Sequence, residues 1–315
     1  MEHRSSIDFV VEPGDGGRLD HFLVRHLERC SRRQARRLID AGAVLVNGRA
    51  ARKGGALRAN DVVAVDRSIL DQQPAAQAEL HLPVLFADET LVAIDKPAGM
   101  PAVALRPGDR DTVANYLLGG YPELRQVGSA RFEAGLVHRL DTATSGVLVA
   151  ARSMSAWHAL RAEFGARRVG KLYLAVVAGI VRTPGVVSAP IAHHPRRPRE
   201  MCACTEARRA TALRARPAST RYRPLQRFGA ATLLAVRIAT GVRHQIRVHL
   251  AAIGHPVLGD ETYGDAAAAG AAPRLLLHAS RLSIAHPSGG ARVRIRSPLP
   301  VDFQIALGDL ATSTG

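Results

Sequence analysis

The chain has 315 residues, enough for more than one domain of ordinary size, and 47% of them are hydrophobic, as in a soluble globular protein. No apolar run approaches the roughly 18 to 20 residues of a membrane span, and the polar start lacks the apolar core of a signal peptide, so a cytoplasmic protein with no membrane partner is expected. The formal charge of +16 calls for a polyanionic partner, RNA, DNA or an anionic membrane on charge alone. Arg supplies 40 of the 43 basic residues, which favours stacking and bidentate phosphate contacts; a coding bias toward Arg and Ala accounts equally well for that excess, though not for the net charge.

In chain order, Leu19, Phe22, Leu23, His26 and Leu27 recur at helical spacing. Ser31 then reads as the N-cap of a second helix over Arg32 to Asp40, closed by Gly42. Val44 to Arg49 is a strand running into an Asn47-Gly48 hairpin turn, and Asp61 to Val65 a later strand. Arg29, Arg32, Arg33, Arg36 and Arg37 crowd the second helix while Ala35, Leu38 and Ile39 face a core, which makes a basic stripe: either solvated surface or a phosphate-binding face. The polar, aperiodic stretch 68–80 reads as a linker between a unit over 1–67 and a larger one over 81–315.

In the larger unit, Val84 to Phe86, Leu91 to Ile94, Gly135 to Val137, Val147 to Ala151, Leu172 to Val177, Leu233 to Ile238 and Arg292 to Ile295 read as strands, interleaved with helices such as Ser155 to Phe164. This is an α+β pattern around a mixed sheet flanked by helices. Ala266 to Gly270 reads as a surface loop, and the tail after Leu307 as frayed. There is no Gly-rich phosphate loop, so no nucleotide cofactor is expected. Cys30, Cys202 and Cys204 fit neither a disulfide framework nor a zinc knuckle, and His244 and His249 are five apart rather than the four that share a helix face; no metal is expected either. Arg196 to Arg227 is a second basic concentration, an RNA-gripping loop or solvated surface in equal measure.

The most informative segment is His138-Arg139-Leu140-Asp141-Thr142-Ala143-Thr144-Ser145-Gly146, a polar connection between two apolar runs. It sets a carboxylate beside a guanidinium in a tight turn, and a carboxylate so placed carries its charge at neutral pH. Asp95-Lys96-Pro97-Ala98-Gly99-Met100-Pro101 precedes it. Lys171-Leu172-Tyr173 follows, then Thr240-Gly241-Val242-Arg243-His244-Gln245-Ile246-Arg247-Val248-His249-Leu250, Gly259-Asp260 and Tyr263-Gly264. These blocks, in this order over about residues 82 to 303, resemble the RluA family of pseudouridine synthases, which isomerise uridine in RNA to its C-glycoside. The N-terminal pattern resembles the S-four-like RNA-binding domain found ahead of the catalytic core in many members that act on large-subunit ribosomal RNA.

The resemblance implies a catalytic domain with a largely antiparallel mixed sheet, no cofactor, an RNA substrate and a monomeric enzyme. It marks Asp141 as the catalytic carboxylate, with attack on C1′, addition to C6 and removal of a sugar proton all open to it. A uridine stacked in RNA must be extruded to be reached, and the resemblance has Arg139 fill the space it leaves; the plainer role is neutralising Asp141. Tyr173 is implied to stack on the target uracil and to be a candidate base at C5. Arg243, His244, Gln245 and Arg247 open a helix with Ile246, Leu250 and Ile253 as its apolar stripe, and Arg247 is implied to hold Asp141. Family members read TGRTHQIR where this chain has Val242-Arg243, so the basic residue sits one place nearer the helix. His138 either contacts RNA or packs under the loop, Thr144 lines the substrate site or fixes the loop, and Lys96 is a candidate phosphate contact in a turn. With Arg32, Arg33, Arg36 and Arg37 for RNA, these residues form the expected site. A glycosidase would place a second carboxylate across the bond, with Asp95 and Asp260 the available acids. A transfer-RNA synthase and a non-catalytic ribosome-associated RNA binder also fit the sequence.

Overall fold

The computed structural model describes residues 6–28, 30, 32–52, 54–66, 74–104, 108–129 and 133–312. The first unit runs β1 (Ser6–Val10), β2 (Gly17–Arg18), α1 (Leu19–His26), α2 (Arg32–Asp40), β3 (Val44–Val46), β4 (Arg49–Ala50), β5 (Ala56–Leu57) and β6 (Val62–Asp66). Both expected helices form where the apolar spacing put them. They bury Leu19, Phe22, Leu23, Ala35, Leu38 and Ile39 against Val44, Val63 and Val65, each large side chain worth about 1.5–3 kcal/mol of transfer from water. The sheet is antiparallel in the order β1-β6-β3-β4. Asn47 and Gly48, at φ 50° and 75°, make the tight turn between β3 and β4, the left-handed pair that matches strand twist. Ser31, expected as a cap, and Arg29 lie outside the described residues.

Of the expected linker, residues 68–73 lie outside the described residues, and 74–80 is clasped to the second unit. The Gln77 amide accepts from Asp111 N and donates to Asp111 Oδ1, and Asn115 Nδ2 donates to the Ala75 carbonyl. A buried Gln with both ends satisfied fixes the chain there, so this part is an anchored strap.

The second unit continues with β7 (Val84–Ala87), β8 (Leu91–Lys96), α3 (Val113–Gly120), a 3-10 turn (Pro122–Gln126), β9 (Ser145–Ala151), α4 (Met154–Gly165), β10 (Gly170–Ala178) and β11 (Gly185–Val187). Then come β12 (Ile191–His193), β13 (Met201–Ala203), α5 (Ala207–Ala212), β14 (Thr220–Phe228), β15 (Ala231–Ile238), α6 (Gln245–Ala252), α7 (Ala266–Gly270), β16 (Leu277–Ala285), β17 (Arg292–Arg296) and α8 (Val301–Thr312). One large sheet runs β11-β14-β15-β10-β16-β9-β8-β7, with β17 also on β16. Its pairs are antiparallel except β9 with β16, so the expected α+β fold with a largely antiparallel mixed sheet is what forms.

Three expectations are corrected. Gly135 to Val137 makes only a single bridge, Leu136 to Ala150, because Ala134 and Gly135 turn the chain at positive φ just before it. Ala266 to Gly270 is a short helix capped by Asp265, whose Oδ1 accepts from Ala268 N. The chain after Leu307 stays helical to Thr312, since Leu307 and Leu310 pack onto the cluster around Phe303.

β9 is buried along its whole length and carries the polar turn of the 138–146 segment into the middle of the sheet. Gly146, φ 115°, meets Ala279 of β16 so closely that a Cβ would lie 2.3 Å from the Ala279 carbonyl oxygen. Glycine is the one residue that fits this backbone and this approach.

Candidate active site

Asp141 sits in the turn that enters β9, its side chain 20% exposed. The turn is held from beneath. Thr144 N donates to the Asp141 carbonyl, Gly99 N to the Thr142 carbonyl, and Lys96 Nζ to the carbonyls of Thr142 (3.0 Å), Pro97 (2.7 Å) and Met100 (2.7 Å). Lys96 is fully buried, and burial pulls its ammonium down to about 7 while the Asp141 charge acts to hold the proton. The expectation that Lys96 touches phosphate is therefore corrected: its three N–H groups are spent on backbone carbonyls, and it ties the turn to the end of β8.

Opposite stands the N-terminus of α6. Arg247 Nη1 lies 3.8 Å from Asp141 Oδ2, and His244 Nε2 lies 3.9 Å from Asp141 Oδ1. Arg247 does face Asp141, as the resemblance implies, but as a loose ion pair, and it has a tighter partner. Its fork closes on Asp260, Nε to Oδ2 at 2.7 Å and Nη2 to Oδ1 at 2.6 Å, with the Asp260 side chain wholly buried. Asp260 Oδ1 also accepts from the backbone N–H of Thr262 and Tyr263. A bidentate, charge-assisted pair of this kind fixes the guanidinium plane, leaving one edge of Arg247 toward Asp141. Arg247 also lies over the Tyr263 ring, 5.0 Å from its centroid.

His244 is the left-handed residue, φ 57°, that starts the helix. Arg243 Nε donates to its Nε2, so its proton is on Nδ1 and goes to the Tyr263 hydroxyl, 2.7 Å away, which also accepts from Met201 N. Burial lowers His244 to about 4, with the Asp141 charge opposing, so the ring is neutral at pH 7. Arg243 itself is exposed.

Tyr173 lies on β10 where its register against β16 shifts between Leu172 and Leu174, the kind of bulge that re-aims a side chain. It is half-buried and lines a cavity of about 270 Å³ with Arg139, Asp141, Thr144, Ile238, Arg247 and Leu277. Burial, and next the Asp141 charge, push its hydroxyl well above the ordinary tyrosine range. A phenol so placed keeps its proton, which counts against Tyr173 as a free base and leaves its ring as the useful surface. A larger cleft of about 1080 Å³ adjoins, sharing Arg139, Asp141, Arg243, His244 and Arg247 and adding Lys96 and Arg274. Asp141 is on the wall where the two meet, and Arg139 is exposed at the mouth.

Two further expected substrate contacts are corrected. His138 packs under the turn, stacked on Phe164 with centroids 4.8 Å apart and its Nε2 accepting from Val149 N; burial lowers it to about 3. Gln245 is buried with its amide saturated, Oε1 accepting from Thr240 Oγ1 and Val242 N, Nε2 donating to the Ser219 carbonyl and Thr220 Oγ1. It shapes the 240–245 loop. Thr144 is buried beneath Asp141 and reaches the smaller cavity's wall.

Asp260 and Tyr263 had no assigned role in the sequence, although the Gly259-Asp260 and Tyr263-Gly264 pairs were the signal for them. Gly259, φ 74°, passes the Arg274 carbonyl at a distance that excludes any Cβ, and this delivers Asp260 to Arg247. Of the two extra acids, Asp260 is locked by Arg247, and Asp95 lines the larger cleft with one oxygen accepting from Ser297 Oγ. Among the described residues no cluster of His, Cys, Asp or Glu has a metal-binding arrangement.

The basic stretch 196–227 is not one loop. Arg196, Arg197 and Arg199 lie between β12 and β13, Arg208 and Arg209 on α5, Arg216 at the smaller cavity, and Arg221 and Arg223 on β14. In the first unit Arg32 and Arg36 are exposed on α2, with Arg36 3.5 Å from the buried Asp20; Arg37 is half-buried, and the Arg33 side chain lies outside the description.

Residues 90–252 match the family model described as RNA pseudouridylate synthase, and residues 17–63 match the S4 domain. The chain is similar to a ribosomal large subunit pseudouridine synthase D of Nitrosomonas europaea, 37% identical over 98% of this chain and 88% of that protein. It is likewise similar to an uncharacterized RNA pseudouridine synthase of Chloroflexus aurantiacus, 39% identical over 98% and 95%. Among solved structures, human RNA pseudouridylate synthase domain containing 4 superposes at a TM-score of 0.57 with 26% identity, over 72% of this chain and 92% of that one. With the motif turn, the sheet that carries it and these likenesses in agreement, the chain belongs to the RNA pseudouridylate synthase family, isomerases that act on RNA, and carries an S4 domain ahead of its synthase region.

Proposed function

We propose that the protein isomerises uridine in large-subunit ribosomal RNA, with Asp141 as the catalytic carboxylate. The observation that carries this reading is the setting of Asp141: partly exposed, on the wall shared by a small cavity that Tyr173, Ile238 and Leu277 help to line and a larger cleft that Arg139 and Arg243 help to line, with its turn pinned by a buried lysine. The RNA-acting family supplies the reaction, and relatives named as large-subunit synthases D, with the S4 match, support the substrate.

The reaction breaks the N1 to C1′ bond, turns the base and joins C5 to C1′, so no redox partner or energy source is needed. In this reading the flipped uracil enters the smaller cavity between Tyr173, Ile238 and Leu277. Stacking on Tyr173 there offsets part of the few kcal/mol that extrusion costs. Arg139, exposed at the mouth, takes the vacated place in the RNA stack, and Arg243 meets backbone phosphates along the larger cleft. Arg247, oriented by Asp260, faces Asp141 at 3.8 Å without consuming it in a tight pair. The proposed units are an S4-like RNA-binding domain over 1–67, a connector over 68–80 and a synthase domain over 81–315. The proposed enzyme is a monomer working in the cytoplasm.

Incubating the protein with ribosomal and transfer RNA, then mapping pseudouridine by carbodiimide primer extension, tests both substrate and reaction. The expected outcome is modified large-subunit RNA, with Asp141→Asn still binding it and forming no product. Turnover by that variant removes Asp141 from the scheme, product in transfer RNA alone reassigns the substrate, and free uracil replaces isomerisation by glycosidase chemistry.

A further inference from the structure

The large sheet carries a row of arginines on the face that looks away from the proposed site. Directly paired residues on neighbouring strands point to the same side. Arg296 of β17 pairs with Arg281 of β16, Arg281 with Leu172 of β10, Leu172 with Arg237 of β15, and Arg237 with Arg221 of β14. Four arginines thus stand in one line across five strands, a span of about 19 Å at about 4.8 Å per strand. Arg294 and Arg223, two places along their strands, widen the row on the same face. Tyr173, one place from Leu172, and Ile238, one place from Arg237, point the other way, into the cavity beside Asp141.

None of these six side chains has an acidic partner or a hydrogen bond among the described residues. Five are exposed; Arg281 is half-buried, and its Nε is the one buried side-chain polar atom among the described residues with no partner. Elsewhere exposed arginines do find acids, as Arg168 finds Glu163 and Arg110 finds Glu79. Like charges directly opposite on a sheet repel and cost stability, and here that happens twice, at Arg296 with Arg281 and at Arg237 with Arg221. A polyanion laid across the row relieves both pairs, and planar guanidinium groups take phosphate oxygens bidentately.

We infer that this face is a second RNA-contacting surface, which takes the phosphate backbone of a double-helical segment distinct from the one whose uridine enters the cavity. The inference rests on the RNA substrate proposed above. Recognition there is of shape and charge, because A-form helices present phosphates and 2′-hydroxyls to such a surface and hide their base edges in a deep groove. A long, folded RNA contacts both faces of the sheet, whereas a short hairpin fills the cleft alone.

The test is Arg221→Gln with Arg237→Gln and Arg296→Gln, exposed positions outside the proposed site, with Arg281 kept so that packing is preserved. Binding to a full-length large-subunit ribosomal RNA transcript and to a short hairpin cut from it around the modified uridine is measured from 50 to 300 mM salt. The single-turnover rate at saturating RNA is measured beside it. Three lost phosphate contacts lower the salt slope for the long RNA by about 2 to 3, at about 0.7 to 0.9 per contact. Hairpin affinity and saturated rate stay at the wild-type level. An unchanged slope on the long RNA overturns the inference while leaving the synthase reading intact, and so does an equal loss on the hairpin, which places the arginines at the cleft. Wild-type protein that modifies neither RNA refutes the substrate reading itself.

Discussion

The Arg247 to Asp260 pair is the joint on which the site's electrostatics turn, and Asp260→Asn isolates it. Asp260 accepts four hydrogen bonds in a fully buried position, two from the guanidinium and two from backbone N–H groups. The Asn amide keeps an oxygen for the Oδ1 partners but sets an N–H against Arg247 Nε, so a donor faces a donor and a guanidinium only 8% exposed loses its tight counter-ion. Breaking a buried pair by removing one partner costs about 3–5 kcal/mol. The nearest remaining carboxylate is Asp141, 3.8 Å away. Arg247 therefore closes on it, and Asp141 is drawn from its partly exposed position into an ion pair, for a loss on the order of tenfold in single-turnover rate, or about 1.4 kcal/mol. Trp157, the single tryptophan, lies in the second unit's core, so urea unfolding followed by its fluorescence reads the stability of that unit. The double variant Arg247→Met with Asp260→Asn removes the unpaired cation while keeping an oxygen for the Thr262 and Tyr263 N–H groups, and should be more stable than Asp260→Asn alone while staying slow. A loss under about 1 kcal/mol for Asp260→Asn, or full loss of stability with an unchanged rate, refutes the reasoning.

Lys96→Met keeps the alkyl stem but leaves the Pro97, Met100 and Thr142 carbonyls without their donor; a stability loss of about 3 kcal/mol and a slower saturated rate are expected, and wild-type values for both would dismiss the clamp. Gly146→Ala brings a Cβ against the Ala279 carbonyl at a positive φ and should cost several kcal/mol, about 1–3 each for strain and overpacking; a soluble variant with an unaltered melting temperature contradicts the close approach. His138 has its folded pKa pulled from 6.5 to about 3 by burial. The unfolded chain therefore binds the extra proton first, and His138 withdraws stability as the pH falls from about 6.5 toward about 3. Ring NMR should show His138 neutral at pH 5, and a titration midpoint near 6.5 would return it to solvent.

Much of the local structure was legible because it rests on short-range regularities. The α1 and α2 stripes, the Asn47-Gly48 turn and the apolar runs of β8, β9, β10 and β15 depend on periods of 3.6 and 2 within a few residues. β14 escaped because Arg221, Arg223 and Pro224 mask its alternation. Gly135 to Val137 misled because an apolar triplet reads the same whether or not a neighbouring turn allows pairing. The tail became α8 because Phe303, Leu307 and Leu310 found a cluster supplied by β10, β14 and α7, contacts no local pattern displays.

For the site, the amino-acid order alone marked the segments that the fold brings together around one cavity: the turn around Asp141, Tyr173 on its strand and the arginines at the start of α6. Only the tertiary structure decided who partners whom. Lys96 answers to a carbonyl 46 residues away and Arg247 to a carboxylate 13 residues away, while His138 and Gln245, polar and so read as contacts, were turned inward and satisfied there. The physical reason is that residue type fixes how many hydrogen bonds a group must make, whereas burial and distance, set by the packing of remote strands, fix where they are made.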